Sequence, residues 1–331
     1  MLSLFMMIII SIAHSFDVIG WFVTGSTVCD EMITPDTFPY NFYTHIVVSN
    51  PIVDKNGTAT CDTSDMILKR FVQLAKVYGK KIIWNDGLQR DIIWHILLND
   101  SWAQYKTNYL SSIGTAVKEC MVDGIEFDYE CPDTIAGRAG VVSNYEATKY
   151  TEFLENVKTA IGTNKTVGAD MGIFGVTPGS YPFMLSPWLN VSMIQKNTGI
   201  DYINIMSYHS NNNLFPWSNS SESIFPWKKD AYILTEIWGF PANKINIGIP
   251  YYSYNKTYNE PLWCQLSEQC PNIDPNSTTC AGIHIVSKEQ NLEIAQYVKN
   301  NNFRGVFPWA ANYDSLTYNN TMAEWVHKGL L

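Results

Sequence analysis

The chain has 331 residues, 46% of them hydrophobic and 16% charged, with a formal net charge of −9. It is too apolar and too weakly charged to be disordered. Its negative charge, with no Lys/Arg cluster longer than the pairs Lys80-Lys81 and Lys228-Lys229, argues against a nucleic-acid partner, which needs a basic face.

The first segment, Leu2 to Ile12, is almost wholly apolar, and no Asp, Glu, Lys or Arg precedes Asp17. It is shorter than the roughly 20 residues of a membrane-spanning helix. Ala13-His14-Ser15 places small residues at −3 and −1 of a cut before Phe16, so residues 1–15 read as a signal peptide and 16–331 as a single catalytic domain. The alternative is a buried first strand. Export also suits the eight Asn-x-Ser/Thr sequons at Asn56, Asn99, Asn164, Asn190, Asn219, Asn255, Asn276 and Asn319. The seven cysteines suit an oxidising compartment. Cys29 and Cys61 sit just after the first two predicted strands and could meet, although connectivity is not fixed by sequence. Cys120, at a predicted helix end, is the expected free thiol. Cys264, Cys270 and Cys280 crowd one later loop. The expected location is extracellular, or else a lysosome-like compartment of the secretory pathway.

Eight short apolar runs rich in Val and Ile follow in order: Asp17–Phe22, Thr44–Ser49, Lys80–Trp84, Val122–Glu130, Thr166–Met171, Asp201–Tyr208, Lys244–Tyr251 and Phe303–Trp309. Longer amphipathic stretches separate them. In 64–78 the residues Ile67, Leu68, Phe71, Leu74, Ala75 and Tyr78 share a helical face that Gly79 ends. Tyr150, Phe153, Leu154, Val157 and Ile161 form another face, closed by Gly162, and a third helix is predicted over 287–300. Strand and helix alternating eight times is the pattern of an α/β, (β/α)8 TIM barrel. A doubly wound open sheet gives a similar pattern and is the alternative. In a barrel, chemistry belongs at the C-terminal strand ends.

The fourth run alternates Glu126, Asp128 and Glu130 with Ile125, Phe127 and Tyr129. Residues i, i+2 and i+4 of a strand face one side. Three carboxyls therefore point one way, at Cα spacings of about 6.5–7 Å. Crowded acids raise one another's pKa and leave one able to donate a proton beside an anion, as glycoside cleavage needs. An amphipathic strand with its acids in solvent is the bland alternative.

Asp-Gly-x-x-x-Asp-x-Glu at the end of this run resembles the signature of glycoside hydrolase family 18, the chitinases and their relatives. Three further runs resemble the family in order: Asp201–Tyr208 its Met-x-Tyr-Asp strand six, Ile245–Tyr252 its Gly-hydrophobic-Pro-x-Tyr strand seven, and Gly305–Ala310 its closing Gly-x-x-x-Trp strand. The resemblance implies that Glu130 is the general acid, that Asp128 orients the substrate's N-acetyl group, and that Glu126 anchors the inner end of the carboxylate relay. It implies that Tyr208 hydrogen-bonds the acetamido carbonyl and that Trp309 forms the floor under the reacting sugar. Met206, His209, Trp84 and Tyr251 are the further candidates for substrate contact. The nucleophile would be the substrate's own acetamido oxygen, and no second strand end offers an obvious carboxylate in its place.

Three positions depart from the family pattern: Glu126 stands for Asp or Asn, His209 for Asp, and Trp84-Asn85-Asp86-Gly87 for Ser-x-Gly-Gly. The stretch between runs seven and eight leaves no room for a sizeable α+β insertion domain, so a shallow cleft is expected. Trp217, Trp227 and Trp263 fall in predicted loops, where exposed aromatics serve binding. No His or Cys spacing suggests a metal, no Gly-rich loop suggests a phosphate, and no cofactor is expected. The expected protein is a monomeric retaining glycosidase without a membrane span, acting on N-acetylglucosamine-containing polysaccharide or oligosaccharide. A non-hydrolysing chitinase-like lectin and an endo-β-N-acetylglucosaminidase of the N-glycan core are the alternatives.

Overall fold

The computed structural model describes residues 16–24, 29, 33–129, 142–172, 187–196, 199–207, 227–253, 261–315 and 321–331. Eight strands form its centre: β1 (Asp17–Phe22), β2 (His45–Val48), β3 (Lys81–Asn85), β4 (Gly124–Phe127), β5 (Thr166–Gly172), β6 (Tyr202–Met206), β7 (Ile245–Pro250) and β8 (Gly305–Trp309). All neighbouring pairs are parallel, and β8 pairs with β1 to close a barrel. The open-sheet alternative falls here, because an open sheet leaves its edge strands unpaired. Each strand lies on the run predicted for it, within one to three residues at its ends.

Helices cover the outside. They include α1 (Met66–Tyr78), α2 (Arg90–Leu98), α3 (Ala103–Glu119), α4 (Asn144–Ile161), α5 (Val191–Gln195), α6 (Trp227–Tyr232), α7 (Trp263–Ser267), α8 (Lys288–Asn300) and α9 (Met322–Leu330). Local chemistry sets their ends. The Asp65 side chain accepts the Leu68 N–H to start α1, and Gly79 ends it at φ 66°, a left-handed conformation that costs glycine little. Ser287 and Gln290 make a capping box at the start of α8. The inward stripe of α1, Leu68, Phe71, Val72 and Ala75, is buried against the sheet.

Between β7 and β8 lie α7, a two-stranded hairpin (Thr279–Cys280 with Ile283–His284) and α8. The described residues of this stretch hold no insertion domain. Three disulfides tie the loops: Cys29–Cys264, Cys61–Cys120 and Cys270–Cys280. Two cysteine expectations are thereby corrected. Cys29 and Cys61 do not pair, because the barrel brings β1 beside the β7 loop. Cys120 is not a free thiol; as the C-cap of α3 it meets Cys61. Trp227 and Trp263 are also not exposed, at 4% and 2%, since each begins a short helix packed on the barrel. No helix among the described residues is long and apolar enough to cross a membrane.

Candidate active site

The strand register decides which side chains enter the barrel. Asn85, Glu126 and Gly168 are partners across β3, β4 and β5. Asp170, Asn204 and Asn246 are partners across β5, β6 and β7. Glu126 is fully buried. Its Oε1 accepts the indole N–H of Trp21, and its Oε2 accepts the Tyr202 hydroxyl. Tyr202 reaches it because Gly168 has no side chain: a Cβ there would stand 2.2 Å from the Tyr202 ring. Burial pushes the Glu126 carboxyl up from its ordinary range, and hydrogen bonds from Tyr202 and Trp21, then Asn204 and Asp170, pull it back.

The acid column continues upward. Asp128 lies just past the end of β4, half-buried, and its backbone N–H donates to Asp86 Oδ2 at 3.1 Å. Asp86 follows β3 and is 1% exposed. Its other oxygen accepts the Leu88 N–H. Burial, with Glu126 as a further charge, raises Asp86 to about 7. The sequence reading saw Asp86 only as a departure from a glycine motif. Asp170 was missed altogether, although an Asp inside the apolar run Thr166–Met171 was a visible signal. It is 2% exposed, and its Oδ1 accepts Asn204 Nδ2 at 2.9 Å. Asn246 Nδ2 donates in turn to Asn204 Oδ1 at 2.9 Å. β5 thus brings a second buried carboxyl, Asp170, into the barrel interior beside Glu126.

Aromatic faces close the mouth. Trp309 ends β8 half-buried, with its ring 4.9 Å from Trp21. Met206 ends β6 on the interior face of Tyr202 and Asn204, at 4% exposure. Trp84 and Tyr251 do not join this group. Trp84 is register partner to Ile125, so it shares the outward face of the sheet, and it is fully buried there. Tyr251 falls on the face opposite Pro250 and lies, buried, against Tyr43 and Asp314. Strand alternation puts Tyr252, one residue on, back on the Pro250 side. Glu130, Tyr208, His209 and Trp217 lie outside the described residues, as do residues 1–15. No group of His, Cys, Asp and Glu among the described residues is arranged to hold a metal.

The site is therefore a parallel barrel with buried acids rising to the end of β4. The profile of the glycosyl hydrolases family 18 matches residues 18–314. The chain belongs to that family. No curated protein matches it in sequence. Among solved structures it is similar to a chitinase from Bacteroides thetaiotaomicron, at 18% identity, 96% coverage of each chain and a TM-score of 0.72. A chitinase from Rhizomucor miehei is similar at 19% identity, covering 94% of this chain and 98% of its own, with a TM-score of 0.68. The Group IV chitinase of Ostrinia furnacalis matches at 16% identity, 96% and 100% coverage and a TM-score of 0.71. At such identities these likenesses speak for the fold, which the closed eight-stranded barrel of this family member shares.

Proposed function

We propose that this family 18 member is a secreted, retaining glycosidase that cleaves β-1,4-linked N-acetylglucosamine glycans, chitin and its oligosaccharides, by substrate-assisted catalysis. The observation that carries the reading is the acid column of β4: buried Glu126 below, Asp128 above it at the rim, and Glu130 two residues further along the chain. In this reading Glu130 protonates the glycosidic oxygen. The acetamido oxygen of the sugar attacks C1 as the bond to the leaving group breaks, closing an oxazolinium ring. Asp128 orients the acetamido group, Tyr208 donates to its carbonyl, and Trp309 supports the ring from below. Water, deprotonated by Glu130, then opens the oxazolinium with overall retention.

The three disulfides and the apolar leader favour export through an oxidising compartment. Of the sequons, Asn56, Asn99, Asn164 and Asn276 are exposed and suited to carry glycans. Asn190 is not, since its amide donates to Thr148 Oγ1 at 2.8 Å while its oxygen caps α5. Turnover of acetylated and deacetylated chito-oligosaccharides and of an N-glycan by purified protein tests the reading. Acetylated oligomers are expected to be cut and deacetylated ones spared, with a thiazoline mimic of the ring inhibiting. Equal rates on both would remove substrate assistance. Cleavage of the N-glycan alone would favour the endo-β-N-acetylglucosaminidase alternative, and binding without turnover the lectin.

A further inference from the structure

The face of the barrel opposite the acid column holds an open cavity. It measures about 510 Å³ and lies between the C-terminal turns of α3 and α4. The helices touch beside it at Gly114, where a Cβ would stand 2.2 Å from the Ala160 carbonyl oxygen. α3 turns Ser111, Gly114, Thr115 and Lys118 toward the cavity. This i, i+3, i+4, i+7 stripe is small and polar where a packing stripe would be apolar. The volume is that of a small-molecule site.

The lining favours a neutral, polyhydroxylated occupant. Ser111 Oγ donates to the Asn108 carbonyl at 2.9 Å, and Thr159 Oγ1 to the Glu155 carbonyl at 3.0 Å. Their lone pairs remain for a donor from outside. Lys165 Nζ donates to the Val122 carbonyl at 2.6 Å and lies 4.0 Å from Asp123. Two helix C-termini end at the cavity, and their partial negative charge offsets the lysines. An anion therefore gains little there, whereas sugar hydroxyls, which both donate and accept, match such a wall.

One sugar can be delivered to the cavity covalently. Asn164 is part of its lining. Asn164 is exposed and opens the sequon Asn164-Lys165-Thr166. It sits in a turn closed by the Lys165 N–H, which donates to the Gly162 carbonyl at 3.0 Å. That turn joins α4 to β5, so it belongs to the N-terminal end of the barrel, away from the acids. Asn56 and Asn276 are exposed sequons too, but neither lines this cavity.

We propose that Asn164 carries an N-linked glycan whose first N-acetylglucosamine units are seated in the cavity between α3 and α4. In the attachment step the Asn164 amide nitrogen bonds to C1 of the reducing-end sugar of a polyprenyl-diphosphate oligosaccharide. The C1–O bond to the diphosphate breaks, the polyprenyl diphosphate leaves with the bonding electrons, and the amide releases one proton. The tether then supplies a high effective concentration, so weak contacts suffice to keep the sugar seated. This rests on the export reading above and is independent of hydrolysis.

The test uses protein secreted from a eukaryotic host. Mass spectrometry reads occupancy at each sequon, and a peptide-N-glycosidase reads access to the sugar–asparagine bond in native and in denatured protein. Asn164 is expected to be occupied. In native protein its glycan should be released about tenfold more slowly than those of Asn56 and Asn276, as for a bond exposed about one-tenth of the time. In denatured protein the three rates should agree. Thr115→Trp fills the cavity from an exposed position on α3 and is expected to restore fast native release at Asn164, and Ser111→Tyr does the same from one turn earlier. An unmodified Asn164 beside occupied Asn56 and Asn276, or native release as fast as theirs, would overturn the inference. So would slow release that persists in both folded variants, which places the shielding elsewhere. No glycan at any sequon would bring down the export reading itself, and this one with it.

Discussion

The two ends of the barrel interior hold charge in opposite ways. At the N-terminal end, Asp17 of β1 meets Arg304 Nε at 2.6 Å and His45 Nδ1 at 3.9 Å. Burial lowers His45 to about 4, so the imidazole is neutral there near pH 7. This end has a carboxylate matched by a guanidinium, and the pair joins the first strand to the last. At the C-terminal end, Asp86, Glu126 and Asp170 receive N–H and O–H donors and, among the described residues, no ion pair, and burial raises all three. Matched charge holds a structure together. Crowded acids without a cation hold protons, which is a costly arrangement for stability and a useful one for chemistry.

Substitutions at each end can break this contrast. The largest effect is expected from Glu130→Gln, with a 10²- to 10⁴-fold loss of turnover, on the order typical for a general acid, while sugar binding measured by calorimetry persists. Near-normal turnover of an unactivated substrate would place the acid elsewhere. At the other end, Arg304→Met leaves Asp17 without its cation. It is expected to cost about 2–3 kcal/mol in urea unfolding, toward the low side for a buried pair because Arg304 is partly exposed, with kcat unchanged in the folded protein. Loss of activity with full stability would show that the two ends are not separate.

Asp86→Asn tests the upper end more gently. Its amide can accept one of the two backbone N–H groups but not both, so the Asp128 backbone is released. About a tenfold fall in kcat is expected, as for a small misplacement of a reacting group, with Tm lowered only slightly. A wild-type kcat would mean that Asp86 is a structural tie alone.

The two ends also oppose each other in pH dependence. The unfolded chain binds more protons at His45 than the folded one between about pH 6.5 and 4, so His45 destabilises the fold as pH falls through that window. At Asp86 the folded state binds the extra proton between about pH 4 and 7, so stability falls as pH rises. Glu126 and Asp170 act in the same direction as Asp86. The acids outnumber the histidine, and Tm is expected to be higher at pH 5 than at pH 7.5. His45→Gln should raise Tm further at pH 4.5. A Tm that climbs from pH 5 to 7.5 would contradict the account of the upper end. The smallest effect is expected from His209→Asp. An added anion near the acid should move the basic limb of the pH–rate profile upward by a fraction of a unit, and an unmoved limb would put His209 outside the cleft.

Much of this contrast was legible in the sequence, but unevenly. The eight runs announced the barrel because parallel strands buried on both faces read as continuous apolar stretches. Glu126 and Asp128 stood out because their alternation lay on one strand. Trp84 and Tyr251 were misjudged because an apolar run that is buried on both sides carries no mark of which residues face inward. Only register against Glu126 and Pro250 shows it. Asp170 escaped because its meaning depends on Glu126 of β4, 44 residues earlier in the chain, and no local pattern encodes that meeting. Cysteine pairing failed for the same reason.

The Cys29–Cys264 bond spans 235 residues, and that span has a consequence for biosynthesis. At roughly 5–20 residues per second, the ribosome delivers the second cysteine about 10–50 s after the first. Through that interval the strand beside Cys29 has no closing neighbour, because β8 is made later still. Cys61 and Cys120 emerge during the wait, and both are chemically competent partners. The pairing most available to the nascent chain is thus a wrong one, and the native bond has to be reached by waiting or by exchange. Pulse-labelled chains should pass through Cys29–Cys61 species that a disulfide isomerase resolves, and a Cys61→Ser, Cys120→Ser double variant should reach the Cys29–Cys264 bond with fewer detours.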